Sequence, residues 1–277
     1  MLETFTYSTI GKTIRLSRIL NPKGTLVFAF DHWLEHGPVD FPDDRINPRK
    51  ILEDVVEAGV DAVMLTPGDA QLFYDIWSGR TSLIVKITGK TNMRPSDQRL
   101  LQSIIGTVED AVRLAADAVA ATVYWGSPYE DVMLKQWTAI REGAELYGLP
   151  ALQLSYPRGP GIKDRYALNT VLYGVRSAVM MGADLIKTYY TGAKDSFAKV
   201  VEAASGIPVM MSGGPHRDSP LEFLMDLKAV RDAGAAGAVV GRNIFQATNI
   251  KAITKACRAV IRGEMKPNEA ASMEGLL

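Results

Sequence analysis

The chemistry of this chain is most readily argued from a lysine that closes a short apolar run. Lys187 lies in Asp-Leu-Ile-Lys187-Thr-Tyr-Tyr-Thr-Gly, a setting that favours a buried strand end. An amine kept out of water near other cations loses its proton below the ordinary lysine value of roughly 10.4 and becomes nucleophilic. It can add to a ketone or aldehyde and form an iminium, an electron sink for making or breaking a C–C bond. The alternative is a lysine paired for structural reasons with Asp31 or Asp184. Asp31, in Asp31-His-Trp-Leu-Glu-His36-Gly-Pro, offers a carboxylate to orient hydroxyls, help proton transfer and hold the lysine. Tyr156, in Ser-Tyr156-Pro-Arg-Gly, offers a phenol that exchanges a proton if a neighbouring cation such as Lys187 eases its ionisation. A tyrosine packed at a rim beside a Pro-Gly turn is the competing reading.

Two Gly-rich turns point to an anion. In Ser212-Gly213-Gly214-Pro and Gly241-Arg242-Asn-Ile-Phe the missing Cβ atoms let backbone N–H groups converge on a phosphate, and Arg242 adds a forked cation. Lys86 supplies either another anion contact or a structural ion pair. His32 and His36 have the spacing of a helical zinc pair, but Gly37-Pro38 indicates a loop and no third ligand follows, so no metal site is assigned.

These residues share one position: Asp31, Lys86, Tyr156, Lys187 and Ser212 each end an apolar run. Eight such runs, at 26–31, 62–66, 83–88, 118–124, 151–156, 185–189, 209–212 and 238–241, have the continuous hydrophobicity of parallel strands buried on both faces. Amphipathic stretches at 48–58, 108–116, 130–147, 168–181, 196–204 and 220–233 lie between them. Several end at a glycine (Gly59, Gly148, Gly182, Gly206, Gly234) that caps a helix before the next strand begins. The pattern predicts a single-domain α/β fold, a (β/α)8 TIM barrel, with a doubly wound open sheet as competitor. In such a barrel the carboxyl ends of the strands carry the reactive groups. Residues 1–25 are read as a segment capping the barrel's bottom, 26–263 as the barrel and 264–277 as a tail. The basic stretch Lys12 to Arg18 is read as a solvated face.

Composition bounds the partners. The chain has 277 residues, 47% hydrophobic and 22% charged, with 31 basic and 31 acidic residues, so no global field favours nucleic acid or anionic lipid. Its single Cys257 excludes an intrachain disulfide framework or a Cys-rich metal site. No apolar stretch approaches the ~20 residues that span a bilayer, and the first residues lack a signal-peptide core. A soluble, cytoplasmic protein without cofactor is expected.

Taken together, Asp31-His-x-x-Glu-His-Gly-Pro-x-Asp-Phe, Lys86-Ile-Thr-Gly-Lys-Thr, Tyr-Trp-Gly-Ser-x-Tyr-Glu130, Ser-Tyr156-Pro-Arg-Gly, Asp-Leu-Ile-Lys187-Thr-Tyr-Tyr-Thr-Gly, Ser212-Gly-Gly-Pro and Val-Gly241-Arg-Asn-Ile-Phe-Gln resemble the archaeal-type class I fructose-bisphosphate aldolases. The resemblance runs in order from about Arg15 to Ala259. It implies a (β/α)8 barrel and a metal-free Schiff-base mechanism acting on a phosphorylated ketose. It further implies Lys187 as the imine lysine, Tyr156 and Asp31 as proton-handling groups, and Ser212, Gly213, Gly214, Gly241 and Arg242 as phosphate holders. A ring-based homo-oligomer such as a decamer is implied too. The superfamily shares barrel and lysine with 2-amino-3,7-dideoxy-threo-hept-6-ulosonate synthase and the phospho-autoinducer-2 thiolase, which the N-terminal segment and tail resemble more. Trp33 and Leu154 depart from the aldolase pattern and are expected to reshape the sugar pocket. Rivals of other classes are a metal-dependent aldolase using His32 and His36, and a non-catalytic phosphosugar-binding barrel.

Overall fold

Strands buried on both faces need partners on both edges and helices on their outer side, and this chain meets both demands by closing on itself. The computed structural model describes residues 6–42 and 45–276. Eight parallel strands form the barrel: β1 (Thr25–Phe30), β2 (Ala62–Leu65), β3 (Ser82–Lys86), β4 (Ala118–Trp125), β5 (Ala151–Pro157), β6 (Leu185–Thr188), β7 (Val209–Ser212) and β8 (Gly237–Val240). Each pairs with its sequence neighbours, and β8 pairs with β1 to close the ring. A TIM barrel is therefore what the chain forms, and the open sheet is ruled out.

Helices alternate with the strands, among them Pro48–Glu57, Glu130–Leu146, Leu168–Met180, Pro220–Asp232 and Ile250–Ile261. Caps delimit them locally: Asn47 accepts from the Arg49 N–H, Pro48 fills the first helical turn, and Thr107 with Asp110 closes a capping box at Val108–Arg113. Leu146, Met180 and Asp232 end their helices one residue before the predicted limits, as frayed last turns allow.

Register decides what faces the lumen. Leu154 pairs with Lys187, Lys187 with Met210, and Tyr124 with Tyr156. Parallel neighbours share a face and successive residues alternate, so Leu154, Tyr156 and Lys187 point inward. Gln153 and Ser155 point outward, where the Ser155 hydroxyl accepts from Trp125 Nε1 at 2.7 Å and donates to the Gly174 carbonyl at 2.9 Å.

At the opposite end, helix Tyr7–Ile19 lies over the starts of β4 to β6. Lys12 Nζ sits 3.0 Å from Asp184 and 2.6 Å from Glu145, Arg15 donates to the Gly148 carbonyl at 3.0 Å, and Arg18 to Asp117 at 3.1 Å. The solvated-face reading of this stretch is thereby corrected, because its cations are the fasteners of the helix. In the tail, helix Pro267–Met273 packs on Pro220–Asp232 and Ile250–Ile261. Among the described residues no helix is long and apolar enough to cross a membrane.

Candidate active site

The carboxyl ends of the strands enclose a cavity of about 310 Å³, and Asp31, Lys86, Tyr156, Lys187, Ser212, Gly213, Gly214, Gly241 and Arg242 all line it. All nine candidate residues are thus brought together in one cup.

Lys187 is buried at its wall. Neither Asp31 nor Asp184 takes it as a partner: Asp31 is bonded to Lys86, and Asp184 to Lys12 and the Ala151 N–H. Burial pushes the amine down to about 8, with Lys86 and Arg242 adding to the fall and Asp31 and Glu35 opposing it. At neutral pH a useful fraction is uncharged, while an ordinary lysine would hold only about one neutral molecule in a few thousand.

Lys86 has the opposite fate. Burial alone would lower it, but the Asp31 carboxylate at 2.5 Å and the Glu35 carboxylate at 2.6 Å hold its amine above the usual lysine range. Its charge is spent on two carboxylates, which is the ion-pair alternative rather than a phosphate contact. Asp31 is also buried, which raises it, yet Lys86, His32 and Lys187 outweigh burial and keep it well below the carboxylate norm.

Tyr156 packs flat against Tyr189, with ring centroids 4.7 Å apart, and its hydroxyl donates to Ser212 Oγ at 3.2 Å. Burial pushes the phenol up, and Ser212, Lys86 and Arg158 only partly offset that. Lys187, the cation expected to ease its ionisation, is not among these, and the phenol stays protonated.

Gly241 lies where a Cβ would collide with the His32 imidazole, and Gly214 adopts a φ of +67°. The turns after β7 and β8 are clamped by Asn243, whose Nδ2 donates to the carbonyls of Gly213 at 2.8 Å and Pro215 at 2.9 Å. Its Oδ1 accepts from the Arg217 N–H at 2.8 Å. Arg242 follows Gly241 and its buried Nε has no partner among the described residues.

The segment predicted as a loop after Asp31 is a one-turn helix, His32–His36. Its two imidazoles meet edge to face at 5.5 Å. Each Nδ1 faces a carboxylate, Asp31 at 3.4 Å from His32 and Asp40 at 2.5 Å from His36. Burial brings His32 down to about 3, so it is neutral. Among the described residues no three His, Cys, Asp or Glu side chains gather around a point fit for a metal ion. Trp33 is also not where it was expected: it stacks on Phe41 at 4.5 Å and does not line the cup, while Leu154 does.

The sequence reading missed Glu35, Gln102, Tyr124, Arg158 and Tyr189. Gln102 Nε2 donates to Glu35 Oε1 at 2.9 Å and to the Tyr124 hydroxyl at 2.7 Å, and Arg158 donates to the Tyr189 hydroxyl at 3.0 Å. Glu35 and Arg158 stood within quoted motifs, and their charge was the available signal. Gln102 offered none, being a lone amide outside the eight apolar runs.

Comparison with known proteins agrees with this fold. Residues 25–247 match the DeoC/LacD family aldolase. The chain is 36% identical over 257 residues to a class 1 fructose-bisphosphate aldolase of Thermoproteus tenax, covering 92% of this chain and 96% of the relative. It is 34% identical over 267 residues to a 2-amino-3,7-dideoxy-D-threo-hept-6-ulosonate synthase of Halobacterium salinarum, covering 96% of this chain and 97% of the relative. An archaeal fructose-1,6-bisphosphate aldolase, solved with its catalytic lysine covalently bound to the carbinolamine intermediate of its substrate, superposes with a TM-score of 0.85. It is 35% identical and covers 91% of this chain and 100% of that one.

Proposed function

Because the chain belongs to the DeoC/LacD aldolase family, we propose that it is a Schiff-base lyase of a phosphorylated ketose, fructose 1,6-bisphosphate foremost, with dihydroxyacetone phosphate as the retained fragment. One observation carries the reading: a largely desolvated amine, unpaired among the described residues and lowered to about 8, faces a polar cavity at the end of a barrel strand. A phosphosugar-binding barrel without chemistry would gain nothing from burying that amine.

The residues divide the work. Lys187 adds to the ketone to give a carbinolamine. Tyr156, protonated at rest, supplies the proton with which the hydroxyl leaves as water, and the resulting phenolate is stabilised by the iminium beside it. The phenolate then takes the proton of the hydroxyl beyond the scissile bond. That C–C bond breaks, its electron pair moves into the iminium, and the aldehyde leaves. Tyr156 returns the proton to the enamine carbon, then takes one from the water that releases the ketone and restores the amine. Asp31 balances the iminium charge and orients substrate hydroxyls. Ser212, Gly213, Gly214, Gly241 and Arg242 hold the phosphate, so that binding energy from an unreacting group aligns the reacting carbon.

A second reading, synthase chemistry on the same lysine, is favoured by the longer match to the Halobacterium salinarum relative, which extends over 96% of the chain. A panel of phosphoketoses assayed for aldehyde release separates the two. Cleavage of fructose 1,6-bisphosphate supports the first reading, whereas cleavage of none, with the lysine still trapped by a phosphoketose, favours the second. A cytoplasmic homo-oligomer completes the proposal: Leu146, Tyr173 and Met180, 84%, 72% and 79% exposed, are apolar surface for copies of the chain to cover.

A further inference from the structure

Glu35, 6% exposed, lines the cavity, and Gln102, 0% exposed, lies behind it. A buried carboxylate is costly unless its oxygens are engaged. Those of Glu35 are: Lys86 Nζ lies at 2.6 Å and Lys90 Nζ at 3.7 Å, and one Gln102 N–H is shared between both oxygens at 2.9 and 3.1 Å. Gln102 arrives from the excursion after β3, which is pinned by the antiparallel pairing of Thr88–Gly89 with Ser103–Ile104. An element outside the barrel thus reaches the cup through one amide, one carboxylate and one ammonium, ending at Asp31.

We propose that Glu35, held by Gln102, is a positioning residue for the lysine chemistry: it fixes the Lys86 ammonium against Asp31 and sets the balance of charge around Lys187. The inference rests on the reading of Lys187 as the imine-forming group. Two carboxylates, Asp31 and Glu35, face two ammoniums, Lys86 and Lys90. Arg242 adds a cation on the β8 side and Arg158 and Arg165 two more after β5, while His32 beside Asp31 is neutral and the Tyr156 phenol is protonated. A proton on Lys187 has no carboxylate of its own at bonding distance and is held less tightly than on an ordinary lysine. Loss of the Glu35 charge makes the cup more positive and weakens the hold of Lys187 on its proton, while Asp31 still keeps Lys86 charged.

The test compares Glu35→Gln and Gln102→Leu with the wild type on fructose 1,6-bisphosphate. Glu35→Gln keeps the shape and removes the charge. Its kcat is expected to fall about 10-fold or more with KM within roughly threefold, and the acid limb of kcat/KM to move to lower pH by about half a unit. Gln102→Leu keeps the charge and removes the tether, so kcat falls about threefold or more while the limb stays. An unmoved limb in Glu35→Gln, or undiminished kcat in Gln102→Leu, overturns the proposal. Should Glu35→Gln fail to fold, kcat of Gln102→Leu decides alone. Wild-type protein is treated with dihydroxyacetone phosphate and borohydride in parallel. No adduct on Lys187 defeats the underlying reading, whereas an adduct with an unmoved limb defeats only this one.

Discussion

Two lysines share one cup and hold their protons unequally, because only one of them has carboxylates at bonding distance. Lys86 has two and keeps its proton; Lys187 has none at bonding distance and is lowered to about 8. Because the free-enzyme limb of kcat/KM reports the attacking group, activity is expected to rise with pH as Lys187 loses its proton, with a midpoint near 8. In Lys86→Met a cation disappears and Asp31 is released toward Lys187, so the same limb is expected at higher pH; a pH–rate profile of the two proteins measures it. Tyr156→Phe removes the proton carrier without emptying the space. A fall in kcat of about 10²–10⁴ with little change in KM is expected from steady-state kinetics. These residues were legible in the sequence because each is a polar group ending an otherwise apolar strand. Glu35 and Gln102 were not, since their partners lie 51 and 67 positions away along the chain and only folding brings them together.

At the scale of elements, periodicity places strands and helices well, and seven of the eight strands end within a residue of the predicted positions, β3 within two. The same periodicity fails for His32–His36, because five residues make too short a helix to show a repeat and the Gly37-Pro38 turn dominates the local signal. It also says nothing of how the turns after β7 and β8 are joined. Asn243 performs that joining through three backbone groups. Asn243→Ala leaves two carbonyls and an N–H without their partner, at a cost of about 1–3 kcal/mol. A lower melting temperature is expected by calorimetry. If the two turns together hold phosphate, KM for a phosphorylated ketose should rise severalfold while kcat changes less.

At the scale of the molecule, the barrel separates its tasks by end. The bottom is closed by Lys12, Arg15 and Arg18 of the first helix, bound to groups at the starts of β4 to β6. The top keeps charge only where it is paired or reactive. A zero formal charge overall thus hides a cup where Asp31 and Glu35 meet Lys86, Lys90, Arg158 and Arg242 around one amine that gives up its proton readily. That amine is tested most directly by incubating the protein with dihydroxyacetone phosphate, reducing with borohydride and measuring intact mass. The expected result is a single stable adduct per chain, mapped by peptide sequencing to Lys187 and missing from a folded Lys187→Ala variant. An unchanged mass, or an adduct on another lysine, would contradict the assignment of Lys187 as the group that bonds to substrate.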